Sequence, residues 1–252
     1  MFNYQLGIPL LLTFLAGLST GIGSLFAFFI KGEQRGWLFF SLGLSAGVMI
    51  YVSFVELLGT AVESSGFVAA NMAFFAGILF IMAVDFLVPH EFIAERVHPE
   101  VKDKKLLSAG TFAMIGIAIH NFPEGLAVFM SAMGDVRLGI ALAFAIAIHN
   151  IPEGIAVAMP IYYATGSRKK AFWLSLLSGI AEPIGALIGI IFLRPFLNPT
   201  VLSLSLAFVA GIMVFISFDE ILPLSYQDEK GHLSMMGLIL GMFVMALSLH
   251  LL

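Results

Sequence analysis

His120-Asn121-Phe122-Pro123-Glu124-Gly125 and His149-Asn150-Ile151-Pro152-Glu153-Gly154 are one six-residue pattern written twice, 29 residues apart, with a single change. On a helix, positions i, i+3 and i+4 share a face. His120 and Glu124 stand at i, i+4, and Asn121 and Glu124 at i, i+3; His149, Asn150 and Glu153 repeat that spacing. Each segment thus offers one imidazole, one amide oxygen and one carboxylate on one stripe. Two such helices facing each other bring His120, Glu124, His149 and Glu153 around one point. Asn121 and Asn150 lie about 100° further round, beside the same glutamates, where a second, oxygen-rich point forms. Glu182, in Ala181-Glu182-Pro183, completes that point. Imidazole with carboxylate suits zinc, iron(II), manganese, cobalt or cadmium, whereas calcium and magnesium prefer oxygen alone.

These residues stand inside long apolar runs, which sharpens the argument. A charged side chain in the middle of a membrane helix costs roughly 2.5–3.5 kcal/mol even on lenient insertion scales. The bland reading of His and Asn there is interhelical hydrogen bonding. The doubled pattern together with Glu182 favours a shared cation site. Pro123 and Pro152 remove the N–H that would bond back to Ile119 and Ile148, so the helices are expected to bend there. Gly125 and Gly154 permit close helix approach.

The elements that must carry these residues are membrane spans. The chain has 252 residues, 60% hydrophobic and 11% charged, with a mean hydropathy of +1.03. A soluble domain carries about 25% charged residues. The net charge of −4 says little, because the charges sit in loops, but the lack of a basic face argues against a nucleic-acid partner. With no cysteine, disulfides, thiolate metal sites and thiol catalysis are excluded. At about 20 apolar residues per span, eight are read, at about 7–30, 37–59, 67–88, 109–131, 136–160, 171–193, 200–222 and 233–252. The first is expected to be a retained span and not a cleaved signal.

Charge sets the expected orientation. Lys31, Arg35, Arg96, Lys102, Lys104, Lys105, Arg168, Lys169, Lys170 and Lys230 fall on one side, and Arg137 and Arg194 on the other. The positive-inside rule makes the first side cytoplasmic, in a cell inner membrane, with both termini outside. The longest loop, about 89–108, holds His90, Glu91, Glu95 and His98. It reads as a solvated cytoplasmic loop, with a weak metal-receiving role as the rival reading.

Gly47 to Leu58 and Gly211 to Leu222 share Gly, Met, Ser, Phe, Glu and the final Leu in register. Their spans cross in opposite directions. A 3+2+3 plan follows: spans one to three repeat as six to eight about an in-plane axis, with four and five exchanging. Inverted repeats around a midplane site mark transporters. The repeat sets Glu56 near the outer end of span two, and Asp219 and Glu220 near the inner end of span seven. They serve as entry and exit groups, or simply as helix-end carboxylates. Asp85, His90 and Glu91 near the inner mouth and His250 near the outer end carry less weight. Met49 and Met213 line the pathway or, more simply, pack.

The doubled segment, the Ala-Glu-Pro and the Asp219-Glu220-Ile221-Leu222-Pro223 run resemble the ZIP (Zrt/Irt-like) metal transporters, nearest their bacterial ZupT-like branch, over essentially the whole chain. The resemblance implies an all-α polytopic membrane protein of eight spans that moves divalent metals into the cytoplasm. It implies that His120, Glu124, His149 and Glu153 form the zinc-type site. Asn121, Glu124, Asn150, Glu153 and Glu182 form the neighbouring site, which favours iron(II) in that branch. The metal is cargo, so no separate cofactor is implied. Expected partners are the ions and the lipid bilayer, and a homodimer is left open. The His-rich loop of many eukaryotic members is short here.

The expectation is therefore an inner-membrane importer of zinc with broad divalent tolerance. The rivals are an intramembrane metal-dependent hydrolase, which would want an HExxH-type open site that is lacking, and an exporter using the same ligands. Channel-like conduction also stays open. Release is expected to be helped by protonation of Glu or His. Zinc uptake into vesicles held at fixed voltage should then fall when the pH gradient is collapsed; unchanged uptake rules proton coupling out.

Overall fold

The computed structural model describes residues 6–29, 35–87, 103–193, 198–226 and 231–251. Eight helices within them are long and apolar enough to cross a membrane, and no strand occurs among the described residues. Helix α1 is Gly7–Phe29. Helix α2 comprises Arg35–Tyr51, a π-helical turn Val52–Leu57, and Leu58–Ser65. Helices α3, α4 and α5 are Phe67–Leu87, Lys104–Gly134 and Val136–Thr165. Helix α6 joins Arg168–Gly179 to Ala181–Ile188 across a break at Ile180 and ends in a π-turn, Gly189–Leu193. Helix α7 comprises Pro199–Ile216, a π-turn Ser217–Ile221, and Leu222–Ser225. Helix α8 is Gly231–Leu251.

Local chemistry sets these ends. Asp103, Asp135, Ser167 and Asn198 cap α4, α5, α6 and α7 by accepting from backbone N–H groups one turn ahead. Gly66 and Gly166, at φ 82° and 66°, end α2 and α5 in backbone that suits glycine alone. The polar run Glu63-Ser64-Ser65, expected as a break, stays helical up to Gly66. These residues tolerate a helix; the positive φ is what stops it. The expected loop at 89–108 likewise gives way to helix at Lys104, behind the Asp103 cap. His90, Glu91, Glu95 and His98 lie outside the described residues, as do Lys31, Arg96, Lys102, Arg194 and Lys230 of the charge count.

Glycine decides which helices touch. A Cβ on Gly154 would strike the Thr20 carbonyl, and one on Gly23 the Ile151 carbonyl, so α1 lies directly on α5. Gly125 meets the Glu182 carbonyl and Gly185 that of Phe122, so α4 lies on α6. Gly47 and Gly241 seat α2 on α8, against Leu238 and Leu44; Gly211 and Gly77 seat α7 on α3, against Phe74 and Phe208. The glycines after the two glutamates therefore pack against α6 and α1, while α4 and α5 approach each other closely at Gly110, against Pro160 and Ile161, and at Gly139, against Ala132.

The π-turns of α2 and α7 hold matching residues. Ser53 and Ser217 donate to the Met49 and Met213 carbonyls at 2.6 and 2.8 Å. Met49 and Met213 are buried among core residues, which makes them packing groups. Helices α3 and α8 lie at the edge, with Phe67, Met72, Met236 and Phe243 mostly exposed.

The close glycine contacts yield a direct expectation. Gly154→Leu forces a side chain into the Thr20 backbone, an overpacking cost of about 1–3 kcal/mol or more, and should abolish the monodisperse peak in fluorescence-detected size exclusion. Gly59→Ala, whose Cβ meets nothing nearer than 3.9 Å, should leave that peak intact.

Candidate metal centre

The pattern residues converge. Pro123 and Pro152 stay inside continuous helices, and each helix turns its His, Asn and Glu inward. His120, Asn121, Glu124, His149, Asn150, Glu153 and Glu182 are all at most 1% exposed. The His149 Nε2 lies 3.0 Å from Glu124 Oε1. The His120 Nε2 lies 3.2 Å from the same oxygen and 3.1 Å from Glu153 Oε1. The imidazole centroids are 6.3 Å apart. One ligand atom each from His120, Glu124 and His149 falls within 4.8 Å of the others.

Only the His149–Glu124 contact is aligned as a hydrogen bond. The His120 Nε2 and Glu153 Oε1, though close, make no hydrogen bond with any described residue. These atoms aim at a common point more than at one another. Ligands on a tetrahedral zinc, at about 2.0–2.1 Å from the metal, stand roughly 3.3 Å apart. The observed 3.0–3.2 Å separations come close to that edge length.

The amides are oriented from outside the cluster. Asn121 Nδ2 donates to the Ser178 carbonyl of α6 at 3.1 Å. Asn150 Nδ2 donates to the Ala16 carbonyl of α1 at 3.0 Å and to Glu182 Oε1. With nitrogens committed to carbonyls, Oδ1 of each asparagine is left over. Both Oδ1 atoms, Glu124 Oε2, both Glu153 oxygens and Glu182 Oε2 are buried with no hydrogen-bond partner among the described residues. So many buried acceptors without donors cost several kcal/mol apiece in hydrocarbon. A divalent cation is one group whose chemistry could satisfy them together.

The imidazoles face the same centre through Nε2, and the Nδ1 atoms have no hydrogen-bond partner among the described residues. A resident metal site usually secures its histidines through that second nitrogen. Leaving it unsecured suits an ion that departs again. Two further bonds steady the backbone around the glutamates. Ser45 of α2 donates to the Pro152 carbonyl at 2.6 Å, and Ser175 of α6 to the Gly154 carbonyl at 3.1 Å. Neither serine has a sequence signal of its own; nor do Ala16 and Ser178, which contribute only carbonyls.

Glu56 shares one cavity with the cluster. This cavity, about 270 Å³, is lined by Glu56 and Ser64 of α2, Glu124 and Ser131 of α4, His149 of α5 and Ser203 of α7. It runs from the metal ligands to the helix ends near Gly66, Asp135 and Pro199. Glu220 is buried and Asp219 exposed, both in the π-turn of α7, and neither lines this cavity. A second cavity, about 520 Å³ and almost wholly apolar, opens between α4, α6 and α7 beside Pro123.

A family model described as ZIP zinc transporter matches residues 98–249. The chain is 51% identical over 267 residues to a zinc transporter ZupT of Chlorobium luteolum, covering 100% of both chains. It is 48% identical to that of Oceanobacillus iheyensis, covering 97% of this chain and 98% of that one. It is 51% identical to that of Streptococcus mutans, covering 95% of each.

The cavity makes its own prediction, and the lack of native cysteine makes it clean. In detergent, Ser64→Cys and Ser131→Cys should react quickly with a polar maleimide. Ala156→Cys, at a fully buried core position, should react at least tenfold more slowly, because a thiol reacts only where it can ionise and be reached. Equal rates would mean the cavity is not a water path.

Proposed function

The chain belongs to the ZIP zinc transporter family, and on that premise we propose how it moves its cargo, a divalent cation with zinc foremost, into the cytoplasm. It is a transporter and not an enzyme, so the hydrolase reading falls away. The ion enters the cavity beside Glu56. It exchanges water for His120, Glu124, His149 and Glu153 at the middle of the bundle. The adjoining oxygens of Asn121, Asn150 and Glu182 form the neighbouring position, shared through Glu124 and Glu153. The ion leaves past Asp219 and Glu220. The observation that carries this reading is the buried excess of acceptors between α4 and α5, with three ligand atoms inside 4.8 Å.

The 3+2+3 inverted repeat belongs to the same proposal. The glycine contacts support it. Gly154 on Thr20 and Gly23 on Ile151 become Gly125 on Glu182 and Gly185 on Phe122 when 162 is added in α1 and 29 subtracted in α5. The α2–α8 contacts become the α7–α3 contacts at a constant offset of 164. The same offset carries Glu56 to Glu220 within the paired π-turns.

The two halves differ in one respect. Positions related to the cavity lining, among them Leu38, Ile117, Ala156 and Ile221, are packed into the core. Among the described residues, one face of the cluster therefore opens to a cavity while the related positions on the other are packed. The excess of basic residues away from the cavity makes the open face external, in an inner membrane whose lipid meets the exposed apolar sides of α3 and α8. The bistable element is the packed half, which must loosen before the ion can leave.

Glu153→Ala and Glu124→Ala should each lower radiozinc uptake into proteoliposomes by at least about 100-fold, the scale on which loss of a buried charged partner acts. The variants should still insert and run as the parent does on size exclusion. Uptake within twofold of the parent would remove the site.

A further inference from the structure

Thr20 of α1 is fully buried, and its Oγ1 has no hydrogen-bond partner among the described residues. That is unusual in this bundle. Thr13, Ser19, Ser24, Ser53, Thr111, Thr165 and Ser217 each donate to a carbonyl three or four residues back, the ordinary resolution for a hydroxyl in a buried helix. One of its two local acceptors is already taken. The Ala16 carbonyl, four residues back, already accepts from Ser19 Oγ at 2.5 Å and from Asn150 Nδ2 at 3.0 Å.

The hydroxyl sits instead against Gly179 of α6, where a Cβ would stand only 3.0 Å from Oγ1. The next residue along, Ser178, holds the amide of Asn121. The offset of 162 that relates α1 to α6 carries Ala16 to Ser178 and Thr20 to Glu182. On one side, then, Asn150 donates to Ala16 O and to the Glu182 carboxylate. On the other, Asn121 donates to Ser178 O, and the place of the second acceptor belongs to Thr20.

We propose that Thr20 Oγ1 is the sixth donor of the oxygen-rich position, standing opposite Glu182 and joining Asn121, Glu124, Asn150 and Glu153. The inference rests on the central site described above. Six oxygen donors favour octahedral, oxygen-seeking ions such as manganese and iron(II). Zinc is satisfied by the four imidazole and carboxylate ligands alone. A hydroxyl supplies that donor without a third carboxylate's charge, so the ion is held without being trapped. Thr20 is in this sense a specificity-determining residue, and its effect is on the choice of metal.

The test is paired uptake of manganese and zinc into proteoliposomes by Thr20→Val, which keeps shape and removes the oxygen, with Thr20→Ser, which restores it. The manganese-to-zinc ratio should fall roughly threefold to tenfold in Thr20→Val, the scale of one lost polar contact, and recover in Thr20→Ser. An unchanged ratio, or an equal loss of both metals, overturns the proposal. If Thr20→Val does not assemble, Thr20→Ala is read by the same ratio. Glu124→Ala in the same assay separates the two levels: persistent uptake of both metals there would condemn the central site itself, whatever Thr20 does.

Discussion

Everything in this bundle answers to one imbalance: buried acceptor atoms gathered together with almost no protein donor among the described residues. Glu124, Glu153, Glu182 and the two asparagine oxygens meet inside helices whose surroundings are apolar. In a soluble protein, water would relieve such a cluster. In hydrocarbon a bound cation, as proposed, would relieve it. The imidazoles temper the charge, sharing Glu124 Oε1 between them at 3.0 and 3.2 Å. The result is a site poised to take an ion and to give it up.

Holding that imbalance in place is work for the rest of the fold. Glycines bring α1 onto α5 and α6 onto α4 at backbone contact. At that distance the carbonyls of Ala16 and Ser178 can reach the asparagine amides and point their oxygens inward. The close approach and the ligand orientation are therefore one feature. Ser45, anchoring the Pro152 carbonyl, ties α2 to the same assembly. The π-turns of α2 and α7 reset the helical register at Glu56 and Glu220, in line with the use of such turns at functional sites.

The difference between the halves gives the cluster a direction. A cavity reaches Glu124 and His149 from the end of α2 that carries Ser64, while Leu38, Ile117 and Ile221, which the proposed repeat relates to its lining, are packed in the core. Side chains rather than backbone make that packing. Branched apolar groups packed at close contact can part and re-form as a unit, whereas the glycine-seated pairs would lose dense backbone contact and the asparagine bonds to Ala16 and Ser178 if they separated.

The sequence by itself determined the eight apolar helices, the doubled His-Asn-Pro-Glu-Gly stripe and the singling out of Glu182, which the structure buries beside Asn150, because hydropathy, the 3.6-residue period and the rarity of buried charge are all local properties. Gly66 as a stop was legible in principle, yet the polar residues before it masked the true end of α2. Only the tertiary structure decided which helices the glycines seat against and which carbonyls orient Asn121 and Asn150. Only it showed that the Thr20 hydroxyl is buried without a partner and that a cavity reaches Glu124 and His149 among the described residues. Most of those facts depend on distances between residues far apart in the chain, 57 positions for Asn121 and Ser178 and 134 for Asn150 and Ala16. A linear pattern holds no information on such distances until packing has chosen among the helix pairings that the same apolar faces would allow.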